Sequence, residues 1–501
     1  MAEEKSPLRE IQWTQVFPWL AIFRTFGVAL DLKKLLLGGI GVLAMYTGWS
    51  ILALVFTSVS NNPVLKSRAD EVAHWPWESN QWHSFTVSRT PTAVELLDEL
   101  EKSGLKITPE THAKLGALSL IEDLERSKVE VTPADRTAIE QAYGVKSGMA
   151  TVDELLHNPV RALWQLGTNW RFVLKPGEDL MHPFRTVFSQ GTGILPTVFA
   201  LLCGLWGLLV WAYFGGAISR LAAVEFAREE KISLKESMQF ARSRFMSYGG
   251  APMILLGFLA VPFLLCMLGA LIPGLVVWLF PGFAGARAVF IGVLWIFPLV
   301  FGFIMAIVMI VAAVAWPLMY STISVEGSDS FDAISRSFSY VFQGVWRYLF
   351  YVLVALVYGS LCSYFVLLFS QLLIHTSQWA VAWGGRAGLS QQLAQLFLYA
   401  PEASGWRPTA LVAEPTGATK FAAICMAGWL YFFFMLLVGF VHSYFWSAST
   451  VIYYLLRRDV DNTEIQEVFL EGEDGDNSFA HEPSPVSPVV ETKDSASPGT
   501  G

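Results

Sequence analysis

Apolar residues in this chain gather into long, almost unbroken runs separated by polar stretches, which is the spacing of membrane-crossing helices and not of half-buried soluble elements. Six runs reach the roughly 20 residues that cross a hydrocarbon core: Leu35 to Thr57, Ile194 to Ile218, Tyr248 to Ile272, Val289 to Pro317, Tyr348 to Ile374 and Phe421 to Leu456. The last is longer than a crossing needs and is expected to continue past the bilayer. Leu275 to Phe283 is apolar but short and interrupted by Pro281, so it reads as interfacial or re-entrant. The expected fold class is an all-α polytopic membrane protein of about six transmembrane helices, with amphipathic interfacial helices and a helical extracytoplasmic insert.

Helical spacing of isolated apolar residues appears between the runs. Trp13, Phe17, Leu20, Phe23 and Leu30 recur among Arg24, Lys33 and Lys34, predicting over residues 1–34 an amphipathic helix on the inner leaflet. After the second run, Ser233 and Glu236 make a capping box ahead of Leu234, Met238, Ala241 and Phe245. After the fourth, Ser330 is expected to cap a helix whose Phe331, Ile334, Phe338 and Phe342 share a face. The layout of span, polar link, amphipathic helix and span thus occurs twice, both copies crossing in the same direction. Transporters use such repeats to build a midplane site; the plainer reading is an old duplication kept for packing.

These patterns divide the chain into an amphipathic segment 1–34, a first transmembrane helix 35–57, a helical insert 58–191, a five-helix membrane domain 192–456 and an acidic disordered tail 457–501. In the insert, Thr92, Thr132 and Thr151 each precede an acidic residue by three positions, Glu95, Asp135 and Glu154, and mark helix starts. Trp164, Trp170, Phe172, Phe184 and Phe188 lead into the second run and read as interfacial aromatics. Beyond Leu470, Pro483, Pro485 and Pro488 stand among acids and serines, a composition that favours disorder.

Composition sharpens the class. Hydrophobic residues make up 53% of the 501 and charged residues only 15%, against about 25% charged in soluble domains. The net charge of −8 resides in the tail, where eleven acids face three bases from Arg457 onward. With no basic stripe elsewhere, nucleic acid binding is excluded. Lys and Arg concentrate before Leu35, between the second and third spans and after the sixth, which places both termini in the cytoplasm of a bacterial inner membrane. The four cysteines, Cys203, Cys266, Cys362 and Cys425, lie in four different apolar runs with no disulfide pairing indicated.

Candidate chemistry is sparse. The chain has no HExxH, no phosphate loop, no GxSxG elbow and no Cys-x-x-Cys, so no catalytic, cofactor or metal residues are expected and the protein is read as a non-enzyme. His74 and His83, near Glu71 and Glu78 and set among Trp75, Trp77 and Trp82, offer metal-ligating side chains outside the membrane, but their spacing matches no established site and the cluster reads more simply as an interface anchor. Arg220, Arg228, Lys231, Lys235, Arg242 and Arg244 flank the inner leaflet and are candidate contacts for anionic lipid or a partner. His442 is the one ionisable residue well inside an apolar run; with Ser443, Ser360 and Ser363 it forms a candidate intramembrane polar site.

Phe214-Gly215-Gly216-Ala217-Ile218-Ser219-Arg220, Ala227-Arg228-Glu229-Glu230, Glu326-Gly327-Ser328-Asp329-Ser330-Phe331-Asp332-Ala333 and Leu455-Leu456-Arg457-Arg458-Asp459 resemble uncharacterised multi-pass membrane proteins of planctomycete bacteria. The resemblance spans the N-terminal helix and the region from the second span to the tail, and implies no activity. More distantly, the amphipathic helix between spans is similar to the membrane domains fused to glycerophosphodiester phosphodiesterases; their catalytic barrel has no counterpart here, which leaves an association with lipids. The expected function is a non-enzymatic scaffold or lipid-associated assembly factor, meeting membrane lipids directly and protein partners through insert and tail. The alternative is a permease or transporter subunit for a small or lipidic substrate.

Overall fold

The computed structural model describes residues 17–73, 170–187, 193–279, 292–384 and 417–470, with Gly285 and Val289. Trp13, His74, His83, the insert caps at Thr92, Thr132 and Thr151, and the tail after 470 lie outside the described residues.

Among the described residues every regular element is helical. A 3-10 segment, Pro18–Arg24, leads into α1 (Thr25–Ala29) and α2 (Leu32–Val59), followed by α3 (Pro63–Ala73), α4 (Arg171–Val187) and α5 (Ile194–Arg228). Then come α6 (Leu234–Ser243), α7 (Phe245–Leu279), α8 (Ile296–Glu326), α9 (Ser330–Gln343), α10 (Val345–Gly384) and α11 (Ala418–Asp461). Six of these, α2, α5, α7, α8, α10 and α11, are long and apolar enough to cross a membrane, at the positions the apolar runs predict. The protein is a multi-pass membrane protein.

The starts of α2, α7 and α10 and the ends of α5, α8 and α11 share one side of the bundle, here the terminal face. Its helix ends have local causes. Asp31 accepts from the Lys33 amide and starts α2. The helices running toward this face stop in left-handed residues, Glu229 at φ 59°, Gly327 at φ 64° and Asn462 at φ 54°. The Ser233–Glu236 capping box is present. Ser330, in contrast, is not a cap: Asp329, three residues before Asp332, accepts from the Asp332 amide and takes that role, while the Ser330 hydroxyl donates to the carbonyls of Met246 and Ser247 on α7.

The N-terminal segment also departs from expectation. In place of one amphipathic helix, the 3-10 segment and α1 are separated from α2 by a break at Leu30 and Asp31. Lys34 falls inside α2 and is fully buried.

Small residues set the core. A Cβ on Gly38 would fall 2.6 Å from the Gly439 carbonyl oxygen, and one on Gly439 would fall 2.1 Å from that of Leu35. The backbones of α2 and α11 therefore touch, the contact that glycines permit between membrane helices. Gly215 lies under Trp446 and Gly359 under Tyr444.

The insert does not stay outside the bundle up to residue 191. Phe184 of α4 packs on Gly204, Leu180 on Gly207, and Gly177 lies near Trp316 and Phe445. From Ile194, where α5 begins, to Gly207 is about 20 Å of helix at 1.5 Å per residue. α4 packs among α5, α10 and α11, so residues 171–187 of the expected insert belong to the bundle, while the expected boundary at 191–192 lies outside the described residues.

Candidate functional site

The terminal face is organised by two glutamates, each following a buried valine in the last turns of a helix that runs toward it. Glu225 on α5 pairs with buried Lys34, which also donates to the Val28 carbonyl at 2.7 Å, and lies 3.9 Å from Lys231. Glu326 on α8 pairs with Arg336 at 2.5 Å and Arg457 at 3.3 Å, and accepts from the Tyr453 hydroxyl at 2.5 Å. Nearby, Tyr340 donates to Asp461, and Tyr351 to Asp459 at 2.8 Å. Burial, and then the Asp461 carboxylate, raise the Tyr340 hydroxyl above the phenol range, so it remains a neutral donor.

Of the six candidate basic contacts, Arg220 is not on the surface. It is 4% exposed; Nη1 donates to the Ser324 carbonyl and Nη2 to that of Phe469, each at 2.7 Å, and its guanidinium lies 4.1 Å from the Phe240 ring centroid. A charge this close to two carbonyls is consumed as an internal clamp. Arg244 is half-buried, 5.6 Å from the Phe469 ring. Arg228 is also half-buried, while Lys231, Lys235 and Arg242 are exposed.

The other end of that clamp belongs to the segment expected to begin a disordered tail at 457. α11 continues to Asp461, and residues 462–470 turn back under the bundle. The Phe469 amide donates to the Val325 carbonyl at 2.7 Å, its ring covers Gly327, and Arg457 donates to the Glu467 carbonyl at 2.8 Å. Gly327 has no Cβ where one would meet that ring at 2.7 Å, so the same glycine both ends α8 and seats the strap.

The four residues of the candidate intramembrane site are all buried, but they do not converge. Ser443 donates to the Ala29 carbonyl at 2.8 Å, tying α11 to α1. The hydroxyls of Ser360 and Ser363 have no hydrogen-bond partner among the described residues. α10 instead meets α11 through Tyr444, whose hydroxyl donates to Ala355 at 2.8 Å. His442 stacks on Trp211 with ring centroids 4.7 Å apart and planes 6° from parallel, and its Nδ1 is 3.0 Å from the Val438 carbonyl.

His442 lines a cavity formed by α2, α4 and α11, with a volume of about 20 Å³, to which the three serines do not contribute. The space suits one water. Facing it are Tyr46, Lys175 and Asp179. Lys175 and Asp179 lie one helical turn apart on α4, 3.6 Å from charge to charge. No sequence expectation picked out this pair. Pro176 and Pro183 lie inside the segment, which still folds as one helix that buries Val173 and Leu180. The usable signal was the spacing of Val173, Leu180 and Phe184 opposite Lys175, Asp179 and His182, an amphipathic period that persists through both prolines.

No family model, curated protein or solved structure matches this chain. The functional reading therefore rests on geometry. Among the described residues, no three His, Cys, Asp or Glu side chains gather as a metal site would require.

Proposed function

We propose that this protein is a non-enzymatic component of a bacterial inner membrane, a scaffold or lipid-associated assembly factor with both termini cytoplasmic. The observation that carries the reading is the closed centre of the bundle. α2 and α11 are in backbone contact at Gly38 and Gly439, and the cavity beside them has a volume of about 20 Å³. A small-residue-packed body is suited to holding other molecules in place. On the terminal face, Lys231, Lys235 and Arg242 are exposed and available to anionic headgroups. The excess of Lys and Arg in its short connections supports the cytoplasmic assignment of that face. Protein partners are assigned to the insert and the acidic tail.

The test is gentle purification from the native membrane with identification of what remains bound. Stoichiometric protein partners, lost when residues 74–169 or 471–501 are deleted, are the expected result. A lone protein retaining a small molecule overturns the scaffold reading. For topology, a cysteine at Ser119 in a background without the native cysteines should label from outside and one at Lys231 should not; the reverse would invert the orientation.

One observation favours the alternative, a permease subunit. α4 carries Lys175 and Asp179 into a bundle that also contains a parallel repeat, and ionisable groups inside a membrane bundle line solute pathways more often than they serve packing. Uptake of a labelled solute by reconstituted vesicles, lost on Asp179→Asn, is the result this reading requires.

A further inference from the structure

We propose that the cavity between α2, α4 and α11 is a hydrated proton-binding site, with Nε2 of His442 as the acceptor. The imidazole is fixed from two directions, by the stack on Trp211 and by the 3.0 Å contact between Nδ1 and the Val438 carbonyl. A carbonyl oxygen only accepts, so Nδ1 carries the ring proton and Nε2 keeps its lone pair. That lone pair has no hydrogen-bond partner among the described residues, on a side chain only 2% exposed that lines the cavity. A buried, unpartnered acceptor on a residue that lines a small space with polar groups is the arrangement in which a water is held and a proton can be delivered.

The charges around the site suit that role. α4 contributes Asp179, 17% exposed, and Lys175, 42% exposed; α2 contributes Tyr46. α5 offers the uncharged Trp211, and the remaining lining residues of α11 are Phe434, Val438 and Val441. When a proton from the medium is relayed through the cavity water to Nε2, leaving that water neutral, the imidazolium is opposed by the Lys175 ammonium and favoured by Asp179 while that carboxyl is ionised. His442 is thus poised between two opposite charges delivered by one helix. This inference goes beyond the scaffold reading and does not depend on it.

The stacked indole supplies the measurement. An imidazolium in contact with an excited indole accepts an electron from it, so protonation of His442 dims Trp211. In the full-length protein in lipid nanodiscs, tryptophan emission is expected to fall in a step as the medium goes from about pH 8 to about pH 4. Trp211→Phe and His442→Gln should each remove that step. Lys175→Gln, at a half-exposed side chain the fold can spare, should raise its midpoint by about one pH unit, and Asp179→Asn should lower it by about as much. Opposite shifts from two residues on one helix are not the signature of general loosening. The proposal is overturned if the wild type has no step, if the step survives His442→Gln, or if Lys175→Gln leaves the midpoint in place or lowers it.

Discussion

In the first copy of the repeated unit, α5 is buried from Phe199 to Ala227 on most of its positions, whereas in the second, the burial of α8 is confined to Ala315 through Val325. Toward the opposite face, α8 presents Phe297, Val300, Phe303, Ile307 and Ile310 outward. One plan has been placed in two settings, the first at the centre of the bundle and the second on its lipid-facing flank. The sequence at corresponding places follows the setting. Gly215 and Gly216 let Trp446 and Tyr248 lie against α5, while α8 carries the bulky Trp316-Pro317. The first span of each copy still carries a valine and a glutamate toward its end, and each glutamate also takes a cation from outside the repeat, Glu225 from Lys34 of the first span and Glu326 from Arg457 of the last, beside Arg336 of its own copy. The cavity at His442 draws none of its lining from either copy. That argues for duplication retained as packing, since a site built by repeats would lie between them.

The largest expected effect separates the two glutamates. Glu225→Ala strands a fully buried ammonium and should destabilise the folded protein by about 3–5 kcal/mol. Adding Lys34→Met should recover most of that loss, because the stranded charge is the source of the cost. Glu326→Ala should cost less, about 2 kcal/mol, since Arg336 is 46% exposed in its side chain and regains water, while the more buried Arg457 keeps Glu467. Thermal unfolding in one detergent, followed by loss of monodisperse protein, ranks the three. Equal losses at Glu225 and Glu326 would mean that the copies do not differ in burial at this face.

A smaller effect is expected at the strap. Phe469→Ala removes a half-buried ring from Gly327 and Phe240 and should cost about 1–2 kcal/mol. Its more specific signature is proteolysis: cleavage within 462–470 should accelerate severalfold while the spans remain intact. Unchanged cleavage would show that the two backbone hydrogen bonds, from the Phe469 amide and to its carbonyl, hold the strap without the ring.

What could be read in advance was local. The six spans follow from length and apolar content, and the Ser233–Glu236 box from two residues three apart, since neither needs a distant partner. What escaped was set by partners far along the chain. Lys34 stood beside Lys33 in an N-terminal segment that looked interfacial, and its buried fate depends on a carboxylate 191 residues later. Arg220 looked like one more inner-leaflet cation until Ser324 and Phe469 met it. Lys175 and Asp179 sat between prolines in a region assigned to the outside, and only the packing of α4 onto Gly204 and Gly207 carries them inward.

The smallest test concerns the caps of α6 and α9, where the copies solve one problem with different residues. Ser233→Ala and Asp329→Ala each remove an oxygen that accepts a first-turn amide, and each should cost about 1 kcal/mol. Ser330→Ala leaves the α9 cap intact and removes only the hydroxyl bridging to Met246 and Ser247, a loss of about 0.5–1 kcal/mol felt where α7 begins. Amide exchange distinguishes the two roles. Asp329→Ala should expose the first turn of α9, whereas Ser330→Ala should leave that turn protected and loosen Met246 to Tyr248. If Ser330→Ala instead frays α9, the serine caps the second copy just as Ser233 caps the first, and the two copies are more alike at this point than the Asp329 geometry implies.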